Sequence, residues 1–278
     1  MSSYESTNRS SELVNFREAL LKGQAPDRGL YTPVEIPKFE DGDLSSFSKM
    51  SYPEIAYAIL SKYIDDEVSP SALRKITSDA YDFDVPLEHV KDRLYVMRLD
   101  RGPTASFKDF AARCMARLMS HFLGDSGNEL MILTATSGDT GSAVANAFHG
   151  IKNIRVVVLF PENEVTERQR KQMTTLSGNV TSVAVEGKFD DCQALVKQAF
   201  SDDDLRGLHL SSANSINIGR LIPQSVYYVY SYVKLCVEVR EDVVFSVPSG
   251  NFGDLMGGLL AKNMGLPVSK YVVATNEN

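Results

Sequence analysis

From residue 94 onward, short apolar runs alternate with helical stretches, and this alternation constrains the fold more than any other feature of the chain. Leu94–Leu99 reads as a strand and Phe107–Leu123 as a helix, then Leu130–Ala135 as a strand and Ser142–His149 as a helix. Ile154–Phe160 is rich in β-branched residues and precedes a helical Thr166–Leu176. Val180–Val185 and Val243–Val247 repeat the strand theme, with helices predicted at Asp190–Phe200, Leu221–Val239 and Leu255–Met264. Strands that read as continuous apolar runs are covered on both faces, and intervening helices provide the crossovers that parallel pairing needs. The expected fold class is therefore α/β and doubly wound, with ligands at the carboxyl ends of the strands.

The first ninety or so residues differ. Ser11–Leu21 places Leu13, Phe16, Leu20 and Leu21 on a helical face. Ser51 and Glu54 have capping-box spacing ahead of Ile55–Tyr63, and Ser69-Pro70 opens a further helix over Ser71–Tyr81. We therefore expect a helical N-terminal region, 1–93, and an α/β region, 94–278.

Composition narrows the class of function. The formal net charge is -7, which argues against a nucleic-acid partner, because that needs clustered Lys and Arg on the phosphates. A small anion is a different matter, since backbone amides hold one on an acidic protein. Cys114, Cys192 and Cys236 form no CxxC pair, and so few scattered thiols read as reduced cysteines in the cytoplasm, with no metal site. The N-terminus carries no signal-like apolar segment and no run has the length of a membrane span. The acidic Asp202–Asp204 reads as a solvated loop.

Three segments lie where predicted strands give way to helices. In Gly102–Asp109, Ser106 and Asp109 have capping-box spacing, which puts Lys108 in the first turn of a helix. The positive end of the helix dipole there favours the uncharged amine, the form that attacks a carbonyl. In Thr136–Ser142, Gly138 and Gly141 would let the backbone approach a ligand, with the Ser137 and Thr140 hydroxyls as added donors. Pro248–Asp254 repeats this logic for a phosphate. Neither a nucleotide-triphosphate P-loop nor a dinucleotide GxGxxG is present. An activated lysine and two anion cradles suit a pyridoxal-phosphate (PLP) enzyme acting on an amino acid.

Taken jointly and in order, GPTASFKD (102–109), TSGDTGSAVA (136–145), SANSINIGRL (212–221) and VPSGNFG (247–253) resemble the signature segments of the threonine synthase family. Tyr4–Thr7, Ala25–Tyr31 and Ser51–Glu54 are similar to that family's N-terminal region. The resemblance implies a fold-type II PLP architecture, like the tryptophan synthase β chain, and conversion of O-phospho-L-homoserine and water to L-threonine and phosphate. It further implies that Lys108 carries the cofactor and shuttles protons, and that Gly250, Asn251, Phe252 and Gly253 hold the cofactor phosphate. Asp139 is expected beside the cofactor, Ser137, Gly138, Thr140 and Gly141 at the substrate carboxylate, and Asn214, Ser215, Asn217 and Arg220 at the substrate phosphate.

The sequence departs from the family pattern at two places. Arg101 stands where many family members have histidine. Family members also continue beyond residue 278, and their continuation carries a hydroxyl residue for the pyridine nitrogen and further strands and helices. The expectation is that 278 residues leave apolar sheet surface uncovered, bind PLP poorly and turn over weakly or not at all. Two other readings stay open: another fold-type II enzyme such as a threonine dehydratase, against which Asp139 and the 250–253 loop speak, and a non-catalytic homologue, against which Lys108 speaks.

Overall fold

The computed structural model describes residues 3–124, 129–236 and 241–276. The chain opens with β1 (Tyr4–Ser6), α1 (Phe16–Lys22), β2 (Tyr31–Pro33), α2 (Asp43–Phe47), α3 (Tyr52–Ile64) and α4 (Pro70–Ala80). Next come β3 (Leu87–Lys91), β4 (Leu94–Met97), α5 (Lys108–Leu123), β5 (Leu130–Ala135), α6 (Asp139–Phe148), β6 (Ile154–Pro161) and α7 (Glu167–Thr174). The remainder is β7 (Val180–Val185), α8 (Phe189–Ser201), β8 (Leu210–Ser211), α9 (Ile218–Leu235), β9 (Val243–Pro248), α10 (Gly253–Met264) and β10 (Val268–Ala274). The predicted helix Leu221–Val239 is seen to Leu235, and its positions 237–239 lie outside the described residues.

Local chemistry sets where helices begin. The Ser51 amide donates to Glu54 at 2.7 Å, and Ser69 Oγ accepts from the Ala72 amide with Pro70 as the first helical residue. α1 starts at Phe16, later than the apolar pattern suggests, because Val14 is bridged to Tyr4 in extended backbone. Its first amides, Phe16 and Arg17, donate to the two oxygens of Glu67 at 2.8 and 3.0 Å. A carboxylate at the positive end of the helix satisfies donors that have no intrahelical partner.

Strands β7-β6-β5-β8 form one parallel sheet in that order. Its side chains divide by alternation. Ile132, Val156 and Val158 enter the main core, whereas Leu133 and Ala135 pack with Cys192 and Val196 of α8 on the opposite face. The main core is continuous from Tyr4 to Val268, so the N-terminal helices share it with the α/β elements. β9 and β10 form a separate parallel pair, on which Val244, Val272 and Val273 are exposed.

One strand does not belong where the alternation suggests. Leu94–Leu99 is not part of a parallel sheet. Its residues 94–97 pair antiparallel with β3 in a hairpin that straddles residues 93 and 94. Asp92 makes the turn in the left-handed region, and Leu94, Tyr95 and Val96 stay exposed. An antiparallel partner reached through a tight turn needs no crossover, so this run pairs locally with the strand just before it.

Candidate active site

Lys108 is the first residue of α5, at the end of a turn in which Ala105 takes φ 57°. The expected Ser106–Asp109 capping box does not form. Asp109 is fully buried and turns back to accept from Thr104, from its amide at 2.9 Å and its hydroxyl at 2.7 Å. Burial pushes the Asp109 carboxyl up, against the pull of those two bonds. Ser106 Oγ instead accepts from the Lys108 amide at 3.3 Å. The Lys108 amine lies over the Phe107 ring and 3.3 Å from Asp139 Oδ2, its side chain 23% exposed.

The loop after β5 is built differently from its reading as a bare ligand cradle. Thr136 Oγ1 accepts the amides of Gly138 and Gly141 at 2.9 and 2.8 Å. Both glycines serve internal packing. Gly138 sits at φ 136°, and a Cβ there would lie 2.4 Å from the Gln169 side chain; one on Gly141 would lie 2.4 Å from Thr136 Cγ2 and 2.6 Å from Met173 Sδ. The donors left for a ligand are the amides of Ser137, Asp139 and Thr140, which make no hydrogen bond among the described residues.

The loop between β9 and α10 has the same character. Asn251 Oδ1 accepts the Gly253 amide at 3.0 Å and the Ser215 hydroxyl at 3.3 Å. The amides of Gly250, Asn251 and Phe252 make no hydrogen bond among the described residues, and the space over Gly250 is open. They precede a helix of 12 residues, whose dipole favours an anion at this end.

Asn214 and Ser215 join the two loops: Asn214 Nδ2 donates to the Ala135 carbonyl at 2.9 Å, and Ser215 meets Asn251. The other two members of the segment turn inward. Asn217 was expected at the substrate phosphate; it is buried and caps α9. Its Nδ2 donates to Leu20 O and Ser212 O at 2.9 Å and its Oδ1 accepts the Gly219 amide. Those bonds use both of its N–H donors. Arg220 is also buried, with Nη1 on the Ala213 carbonyl at 2.6 Å and Nε unpartnered. Burial pulls its guanidinium down to about 10. Arg101 is exposed and faces Glu88 of β3 at 4.0 Å.

Sequence reasoning missed Asp254. It is buried in the first turn of α10, accepting from the Tyr227 and Tyr228 hydroxyls at 2.7 Å each. Burial raises its carboxyl, while the tyrosine bonds and the Lys108 charge lower it. An acid directly after the third loop was the available signal, but its tyrosine partners lie 26 and 27 positions away.

Among the described residues, no group of three or more His, Cys, Asp or Glu could hold a metal, and no helix is long and apolar enough to cross a membrane. All three cysteines are free thiols.

Comparison with known proteins gives this arrangement a family. Residues 3–81 match the threonine synthase N terminus, and residues 80–278 match the pyridoxal-phosphate dependent enzymes. A threonine synthase of Serratia marcescens is 46% identical over 269 residues, 96% of this chain and 62% of that protein. The PLP-bound threonine synthase of Brucella melitensis superposes with a TM-score of 0.92 at 39% identity, over 100% of this chain and 61% of the other. The Escherichia coli threonine synthase structure gives 0.92 at 42%, over 99% and 64%. The chain thus spans about three fifths of the length of these relatives.

Proposed function

The chain belongs to the pyridoxal-phosphate dependent enzyme family, and on that premise we propose that it binds PLP through Lys108 and converts O-phospho-L-homoserine and water to L-threonine and phosphate. The observation that carries this reading is the Lys108 amine, paired with Asp139 at 3.3 Å, beside two loops that each keep three amides unpaired. The donor set fits the cofactor: one amine for its aldehyde and a helix N-terminus for its phosphate. Gly250, Asn251 and Phe252 would hold that phosphate by their amides, and Gly253, packed on Ser215, shapes the turn. When bound, PLP supplies an electron sink for bond changes next to the amino group.

The chain's own residues do the rest. The amides of Ser137, Asp139 and Thr140 suit the substrate carboxylate. Asn214 and Ser215, which join the two loops, are placed in this reading toward the substrate phosphate. Lys108 takes the proton from the substrate α-carbon and returns protons as phosphate leaves the γ-carbon and water adds at the β-carbon. Asp139 Oδ2, 3.3 Å away, keeps the Lys108 side chain in place between transfers. Asn217 and Arg220 support the segment from beneath. We assign residues 94–278 to cofactor binding and the first ninety to a buttress on the shared core. A cytoplasmic setting accords with three free thiols.

The test is threonine formation from O-phospho-L-homoserine by the purified chain with PLP, beside Lys108→Ala. Threonine from the wild type alone supports the reading. A borohydride-reduced PLP adduct mapped to a lysine other than Lys108 would overturn the assignment.

A further inference from the structure

Asp139 is half exposed, at 49%. Solvated ion pairs contribute little by themselves, because water competes for both charges and the side chains lose freedom. A carboxylate in that setting needs a separate restraint to stay aimed at a lysine. α7 supplies one. Gln169 Nε2 donates to Asp139 Oδ1 at 2.8 Å, which leaves Oδ2 toward Lys108. The Gln169 amide is itself fixed, since its Oε1 accepts from the Thr166 amide and hydroxyl, both at 3.0 Å. The side chain lies so close to Gly138 that a Cβ there would collide with it. Three residues on, Gln172 Nε2 donates to the Thr104 carbonyl at 3.3 Å, in the turn that leads into Lys108. Residues three apart share a helix face, so one face of α7 touches both supports of the lysine.

We infer that Gln169 is a positioning residue for Lys108, acting through Asp139, with Gln172 steadying the turn before the lysine. This rests on Lys108 as the cofactor lysine for its meaning, but its geometry can be tested on the chain without cofactor. Removing the Gln169 amide releases Asp139, and the Lys108 amine loses the partner that holds it in place and shields it from reagent.

The experiment is acylation of the cofactor-free chain by acetic anhydride at fixed pH. Peptide mapping gives the rate at Lys108 relative to exposed Lys152. Gln169→Leu, Asp139→Ala and the double variant are compared with wild type. Gln169→Leu should raise relative acylation of Lys108 by about two- to fivefold, the scale of a partly solvated pair. Asp139→Ala should do the same, and the double variant should add nothing further. A purely structural loss of the α7 cap would persist in the Asp139→Ala background, and that result overturns the inference, as does an unchanged rate in Gln169→Leu. Thermal melts accompany each variant, and Gln169→Met replaces Gln169→Leu if the latter does not fold. Absence of a borohydride-trapped adduct on wild-type Lys108 would instead count against the cofactor reading, leaving the acylation result independent.

Discussion

Thr104 and Asp109 close on each other through two hydrogen bonds, amide to Oδ2 at 2.9 Å and hydroxyl to Oδ1 at 2.7 Å. The turn that presents Lys108 is thereby bound to the helix that follows it. Thr104→Val keeps the shape and removes the hydroxyl, leaving a buried carboxylate oxygen short of a donor. We expect a loss of about 1–3 kcal/mol in urea unfolding, together with weaker PLP retention measured by absorbance after gel filtration. Unchanged stability would show that the second bond carries no weight.

Asn217 is a structural cap in a segment that reads as a binding motif. Asn217→Ala deletes the cap on Gly219 and strips donors from Leu20 O and Ser212 O. The expected cost is about 2 kcal/mol, seen as a lower midpoint in urea. A variant with wild-type stability and a raised KM for phosphohomoserine would return Asn217 to the substrate site.

Two glycines should respond in opposite ways. Gly141→Ala forces a methyl against Thr136, Val158 and Met173, and overpacking of this kind costs about 1–3 kcal/mol. At Gly250 a methyl meets nothing, so the melting temperature of Gly250→Ala should match wild type while the affinity for PLP falls. Thermal melts and PLP titration of the pair check this. A large loss of stability in Gly250→Ala would contradict it.

Asp27 should make the chain sensitive to acid. The Ser6 hydroxyl and the amides of Gly29 and Ser10 hold its carboxyl down to about 2. A carboxyl lowered by folding contributes stability that is full above its ordinary value near 4 and is lost as pH falls toward 2. Melting temperature followed from pH 5 to pH 2 should therefore drop less steeply in Asp27→Asn than in wild type. Identical slopes would show that other carboxyls govern the acid limb.

The crossover strands were legible because their apolar runs are long and bounded by helix starts. Lys108 was correctly placed in a first helical turn, even though the capping box used to place it does not exist. What sequence spacing cannot carry is competition between partners. Asp109 prefers the Thr104 donors to Ser106, and Asn217 prefers Leu20, 197 positions away. Leu94–Met97 found a polar strand, Leu87–Lys91, that no apolar pattern announces. The glycines of the second loop were read as space for a ligand, whereas side chains of Gln169 and Met173 already fill that space. Gln169 is not among the residues that the sequence singles out, and only the third dimension brings it to Asp139.

The bond between Asn217 and the Leu20 carbonyl also sets a clock for the ribosome. α1 leaves the exit tunnel early, but the side chain that anchors its end is made 197 residues later. At roughly 5–20 residues per second, that interval is about 10–40 seconds. During it Leu20, on the apolar face of α1, lacks Gly219 of α9, against which it packs. Nascent chains of this protein should therefore be held by chaperones through their N-terminal helices, and released as α9 emerges.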